Sequence, residues 1–176
     1  MADMEGNVEN EEKLKERLSV TDRYYTRKYK IGKTEDQDVC VLAHSNRICI
    51  VTLAPSHPVV AKKKKVTAVS FDVSGANRLD NKVSGKGKKG AQWLKSASEL
   101  CKIECEDGEN YVFPAGLPAQ LIEINENLVH CPSLLTEKPH TEGYVAIVLP
   151  KLKEYEYVMN RLSTEEAYKQ ARPDIT

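Results

Sequence analysis

Lysines are the densest chemistry-bearing residues in this chain. Lys62, Lys63, Lys64 and Lys65 form an unbroken run, and Lys82, Lys86, Lys88 and Lys89 crowd a glycine-rich stretch. Both groups suit electrostatic docking onto an anionic partner. Such contacts weaken with salt, because the Debye length is about 8 Å at physiological ionic strength. The run of four also fits a nuclear-import signal or a solvated loop. Within the second group, Gly85-x-Gly87-x-x-Gly90 matches the dinucleotide fingerprint as a string. That chemistry needs a preceding strand, a following helix and an acidic residue about 20 positions on. The spacers here are lysines and no βαβ unit is evident, so a glycine-rich turn is the reading adopted.

Cys101 and Cys105 are four apart on an expected strand, which turns them the same way. Their spacing is within the range of zinc sites. The remaining ligands would come from Cys131, His130 or His140, and no paired knuckle is present. Small buried thiols are expected instead, as for Cys40 and Cys49 within apolar runs. His44, His57, His130 and His140 have no acid or nucleophile at a motif spacing, and Ser84 lacks a nucleophile's strand–elbow–helix context. No catalytic residue, metal or cofactor is therefore expected. Arg47, with Ser45 and Asn46, suits a structural turn cap and an exposed contact equally.

The elements that would hold these residues are mostly short strands. Tyr24, Tyr25 and Tyr29 lie in a strand-like segment. Residues 39–42 and 48–51 read as paired strands, the second ended by Pro55 and Pro58. Residues 66–73 read as a strand and 74–90 as a loop. Residues 100–105 and 111–113 read as a hairpin closed by Asp107-Gly108, since glycine tolerates positive φ there. Residues 120–124 form a further strand, 125–143 a mostly irregular stretch, and 144–149 a buried strand stopped by Pro150. Ser163 and Glu166 fit a capping box, with a helix running to about Ala171. Residues 1–10 are expected to be disordered, and Glu11 to Ser19 to make a helical turn or two with Leu14 and Leu18 on one face. The division is a flexible arm (1–20), a β-rich domain (21–150) and a helical tail (151–176). Short strands with helices only at the ends indicate a barrel or sandwich.

Bulk composition narrows the partners. Twenty-six Lys and Arg balance twenty-six Asp and Glu across 176 residues, which argues against a general nucleic-acid binder. No stretch approaches the roughly 18 apolar residues of a membrane span. The start is acidic rather than signal-like, and five cysteines is an odd number, so reduced thiols in the cytosol or nucleus are expected.

Two ordered sets of motifs carry a family resemblance. The segment from Val83 to Leu94, Asn125-Glu126-Asn127-Leu128, Cys131-Pro132-Ser133-Leu134-Leu135 and Glu142-Gly143-Tyr144 are spaced as in glycine cleavage H-protein. That resemblance implies an all-β barrel-sandwich hybrid of the biotinyl/lipoyl type over residues 39–149. Such carriers display one lysine at a hairpin tip. Here the tip falls on Glu106-Asp107-Gly108-Glu109, with the acceptor position on or beside Gly108 and no lysine there. Lys102 would stand halfway down the strand, the wrong place for a swinging arm.

A closer set is Asp22-Arg23-Tyr24-Tyr25-Thr26-Arg27, His44-Ser45-Asn46-Arg47-Ile48-Cys49, Asn81-Lys82-Val83-Ser84-Gly85-Lys86 and Thr141-Glu142-Gly143-Tyr144. Together these resemble the Simiate family, also called Abitram, for actin-binding transcription modulator. The resemblance implies binding of monomeric and filamentous actin, control of filament growth in filopodia and dendrites, and presence in the cytoplasm and nuclear speckles. The docking residues expected are Lys62, Lys63, Lys64, Lys65, Lys82, Lys86, Lys88 and Lys89. Two rival readings are a cryptic lipoyl- or biotinyl-type carrier subunit, and an adaptor for RNA or transcription factors. Exposed strand edges would also permit self-association.

Overall fold

A computed structural model describes residues 23–74, 76–85 and 87–175. The expectations for residues 1–20, and the side chain of Lys86, lie outside the described residues. In chain order the strands are β1 (Tyr25–Lys30), β2 (Val39–His44), β3 (Cys49–Leu53), β4 (Val66–Ser70), β5 (Asp72–Val73), β6 (Ala76–Asn77), β7 (Trp93–Leu94), β8 (Glu99–Cys105), β9 (Asn110–Pro114), β10 (Ala119–Ile124), β11 (Ala146–Leu149) and β12 (Ser163–Thr164). The helices are α1 (Pro58–Ala61), α2 (Asn127–His130), α3 (Leu134–Glu137), α4 (Tyr155–Arg161) and α5 (Glu165–Ala171). Among these helices none is long and apolar enough to cross a membrane.

Seven strands form one antiparallel sheet in the order β12-β1-β2-β3-β11-β10-β7, and β4-β8-β9 form a second. The main core lies between them. Val39, Val41 and Val51 from the large sheet meet Val69, Cys101, Ile103 and Phe113 from the small one. Register shifts interrupt β4, β8 and β10. Bulges of this kind bend strands, which lets short sheets wrap a common core.

β2 explains its own sequence. Val39-Cys40-Val41-Leu42-Ala43 is apolar without alternation, and all five residues are buried. Val39, Val41 and Ala43 face the main core, whereas Cys40 and Leu42 face a second cluster with Tyr29, Ala54 and Tyr168. Tyr168 comes from α5, so the last helix covers the outer face of the large sheet. Its ring stacks on Tyr29 at 3.9 Å between centroids.

A buried polar knot fixes this helix. Asp38 is fully buried, and Arg172 donates to both carboxylate oxygens, at 2.7 Å from Nε and 3.0 Å from Nη2. The same carboxylate accepts from Gly32 N–H and Ser56 Oγ. Tyr168 completes the knot, its hydroxyl donating to Ser56 Oγ and accepting from Ser56 N–H. A buried carboxylate is tolerable only with such a set of donors.

Several local expectations shift. The strand read over residues 66–73 breaks at Phe71, and β5 turns to pair with β6. The expected N-cap Ser163 pairs with Tyr29 as part of β12. The cap moves to Thr164, whose Oγ1 accepts from Ala167 N–H at 3.2 Å. The helical tail holds a second helix, α4, along which Tyr155, Val158, Met159 and Leu162 carry helical spacing. α2 and α3 are single turns, too short to show a period in sequence.

The Asn125 and Glu142-Gly143-Tyr144 motifs prove structural. Asn125 Nδ2 donates to the carbonyls of both Glu142 and Tyr144 at 2.8 Å. Between them, a Cβ on Gly143 would fall 1.8 Å from the Leu134 carbonyl oxygen, so only glycine fits.

Replacing Arg172 with alanine strands the Asp38 charge. The expected cost is about 3 kcal/mol of unfolding free energy at neutral pH, measured by urea denaturation. Adding Asp38→Asn should recover part of that loss.

Candidate functional site

The two lysine groups attach to different sheets. The run of four begins where α1 ends. Lys63 takes a left-handed conformation (φ 48), Lys63 N–H donates to Val60 O, and Lys64 N–H donates to Val59 O. This double bond pattern is a Schellman C-cap, which returns the chain toward β4. Lys62 and Lys63 are left exposed.

Lys64 and Lys65 turn to the β8–β9 hairpin tip. Lys64 Nζ lies 2.8 Å from Asp107 Oδ2 and 3.0 Å from Glu109 Oε2, and its side chain is only 10% exposed. It also sits 5.3 Å from the centroid of Tyr111, whose hydroxyl donates to Glu109 at 2.7 Å. Hydrogen bonding to Asp107 foremost, then to Tyr111 and Glu109, holds the Lys64 ammonium above the ordinary lysine range. Lys64 in turn lowers Asp107, and Tyr111 followed by Lys64 lowers Glu109. Lys65 makes a looser pair with Glu106 at 3.6 Å, and its carbonyl accepts from Glu106 N–H.

The tip itself is a tight turn. Gly108 has φ 86, and Asp107 Oδ1 accepts from Glu109 N–H at 3.0 Å. The ammonium groups beside it come from Lys64 and Lys65 on the chain entering β4, and that of Lys64 is engaged by two carboxylates. These residues do not fit a lipoyl or biotinyl arm. Lys102 is exposed in mid-strand on β8.

The second group sits on a small protrusion. Ser84 and Lys89 exchange backbone hydrogen bonds at 3.0 Å, with Gly85 and Lys88 at positive φ. Lys82 and Lys89 are exposed and Lys88 is half-buried. The base of the loop is pegged to the large sheet, since Asn81 Nδ2 donates to Leu121 O and Asn81 Oδ1 accepts from Gln92 N–H. After Gly90 the chain enters the edge strand β7. Among the described residues no helix follows the glycines directly, so the dinucleotide string is a turn.

Cys101 and Cys105 are both buried on the inner face of β8, as the spacing requires. Burial pushes the thiols of Cys40, Cys49 and Cys101 up to about 12. Cys131 is exposed. Among the described residues no three His, Cys, Asp or Glu side chains gather as a metal site. His44 and Asn46 shape the β2–β3 turn by accepting from Asn46 N–H and Ile48 N–H, with Arg47 at φ 75.

His57 is fully buried. Its Nδ1 accepts from Val59 N–H at 3.2 Å and so caps α1, which leaves the proton on Nε2. Nε2 is buried without a hydrogen-bond partner, and Tyr111 and Phe113 meet the ring edge-on. Burial disfavours the imidazolium and lowers His57 to about 4.

No family model matches the chain. Curated relatives do. The protein named Protein Abitram from Homo sapiens is 48% identical over 155 residues, 86% of each chain. Those of Danio rerio and Dictyostelium discoideum are 44% and 34% identical, covering 86% and 77% of this chain. The chain belongs to the Abitram family. Among solved structures, a glycine cleavage system H protein from Mycobacterium marinum superposes with a TM-score of 0.56 at 14% identity, over 84% of this chain and 97% of that one. The Abitram chain therefore has the barrel-sandwich fold that its motifs implied, with a short C-terminal helix.

Two outcomes follow for this Abitram chain. His57 favours the folded state fully above its unfolded value of 6.5, and that contribution fades as pH falls toward about 4. Unfolding free energy should drop by about 3 kcal/mol across that window, and His57→Asn, which keeps an N-cap acceptor, should flatten the decline. Thiol labelling of the native chain should modify Cys131 alone, with Cys40, Cys49, Cys101 and Cys105 reacting only after unfolding.

Proposed function

We propose that this chain is a non-catalytic actin-binding protein. It engages monomeric and filamentous actin, regulates filament growth in filopodia and dendrites, and modulates transcription, with residence in the cytoplasm and nuclear speckles. The observation that carries this reading is its membership in the Abitram family over most of its length. The hairpin tip adds support. With Lys64 clasped by Asp107 and Glu109, it is a fixed surface in place of a carrier's lysine.

The docking mechanism is a rigid β scaffold that offers ammonium groups to an acidic partner. Lys64 and Lys65 are already matched by Asp107, Glu109 and Glu106. The attraction therefore falls to Lys62, Lys63, Lys82, Lys88 and Lys89, joined by Lys86. A rigid display costs little ordering entropy when the partner docks.

Changing Lys62, Lys63, Lys82, Lys88 and Lys89 to glutamate should weaken co-sedimentation with actin filaments by tenfold or more, given about 0.2–1 kcal/mol per exposed charge pair. Wild-type binding should also fall as salt rises. Co-sedimentation unchanged by the five substitutions would reject the lysine surface.

A further inference from the structure

The tryptophan of this chain is unusually placed. Trp93 is the single one in the sequence, and its side chain is 55% exposed on the edge strand β7. Its neighbours turn inward. Gln92 accepts from Arg78 Nη1 at 2.8 Å, and Leu94 is buried in the main core. Alternation along the strand puts the indole and Lys95 on the outer side. Lys151 Nζ lies 4.9 Å from the ring centroid.

Other cations converge on this edge. Gln120 is the register partner of Trp93, and its Nε2 donates to the Lys88 carbonyl at 3.4 Å. The protrusion bearing Lys82, Lys88 and Lys89 thus flanks the indole. In the other direction, Ser96 and Pro118 line a cleft of about 170 Å³ against α4. Ser96 lies three residues beyond Trp93, in the turn that Ser98 N–H closes by donating to Lys95 O. At the cleft stands Tyr157, 63% exposed, with Arg161 donating to its hydroxyl at 2.6 Å and lying 5.4 Å from its ring centroid. Lys30 also lines the cleft, and no carboxylate does.

These cations are not ion-paired among the described residues. Every ion pair there involves other side chains, so no described carboxylate lies within 4.0 Å of Lys30, Lys82, Lys88, Lys89, Lys95 or Lys151. The neutral total of the chain hides a cationic rim with two solvent-facing aromatic rings.

We propose that the rim from the 82–89 protrusion through Trp93 to Tyr157 binds single-stranded nucleic acid. Lysines follow the phosphates, and Trp93 and Tyr157 stack on bases. An acidic peptide would be served by the lysines alone and gives the exposed ring faces nothing to do. A duplex keeps its base faces stacked internally, so it too leaves the rings unused. This inference goes beyond the actin reading and does not depend on it.

The single tryptophan makes the test direct. Full-length protein is titrated with an oligouridine and an oligothymidine of about 12 nucleotides, following Trp93 fluorescence. Saturable quenching is expected with either, weakening between about 50 mM and about 200 mM salt. With a labelled oligonucleotide followed by anisotropy, Trp93→Ala should lower affinity about 5- to 100-fold. Trp93→Phe should retain most of it, and far-UV circular dichroism should show both variants folded. The proposal fails if neither oligonucleotide quenches Trp93 at the lower salt. It also fails if folded Trp93→Ala binds as well as wild type. Equal or tighter binding of a matched duplex or a polyglutamate peptide overturns it as well.

Discussion

One buried carboxylate organises the outer half of this fold. Asp38 sits at the entrance to β2 with Arg172, Ser56 and Gly32 all donating to it. Removing a charge from water is expensive, and only this full set of donors offsets the cost. The donors come from segments far apart in the chain. Satisfying Asp38 therefore requires α5 to lie across the sheet, and that in turn covers Tyr29, Cys40 and Leu42. β2 owes its two-sided burial to this helix. The segment expected as a tail is thus packed against the domain.

Lysines show how context divides one residue type. Lys64 lies in a run whose members look equivalent in sequence. Its neighbour Lys63 takes the left-handed position that ends α1, and the geometry of that cap delivers Lys64 to Asp107 and Glu109. The result is an ion-paired, aromatic-backed clasp at the hairpin tip, where the motif resemblance puts a carrier's arm. Lys82, Lys88 and Lys89 hang instead from the large sheet, beside Trp93 and Lys151. A protein with no net charge can keep a local field when its acids pair with one set of lysines and leave another bare.

Much of the strand content was legible because it rests on local rules. Asp107-Gly108 demands a turn at positive φ, and the alternation of Cys101, Ile103 and Cys105 with Lys102 and Glu104 sets the inner face of β8. The motifs shared with H-protein were legible too, but their meaning was not. Asn125 and Gly143 look like a signature and act as a clamp on the chain entering β11. The cap of α5 falls on Thr164, one residue past Ser163, because pairing of Ser163 with Tyr29, a contact across 134 positions, outweighs a local capping preference. The exposed indole was invisible in sequence, since packing decides which face of an edge strand meets solvent.

By itself the sequence determined what nearest neighbours decide: short strands, their turns, the buried character of four cysteines, and the absence of a lysine at the hairpin tip. Motif order added the family and the barrel-sandwich frame. Only the tertiary structure decided which lysines are spent, where His57 and Asp38 are hidden from water, and that Trp93 faces outward between cations. Those outcomes depend on pairs brought together from distant parts of the chain. Desolvation and ion pairing act over a few ångströms in space, and sequence separation does not encode that distance.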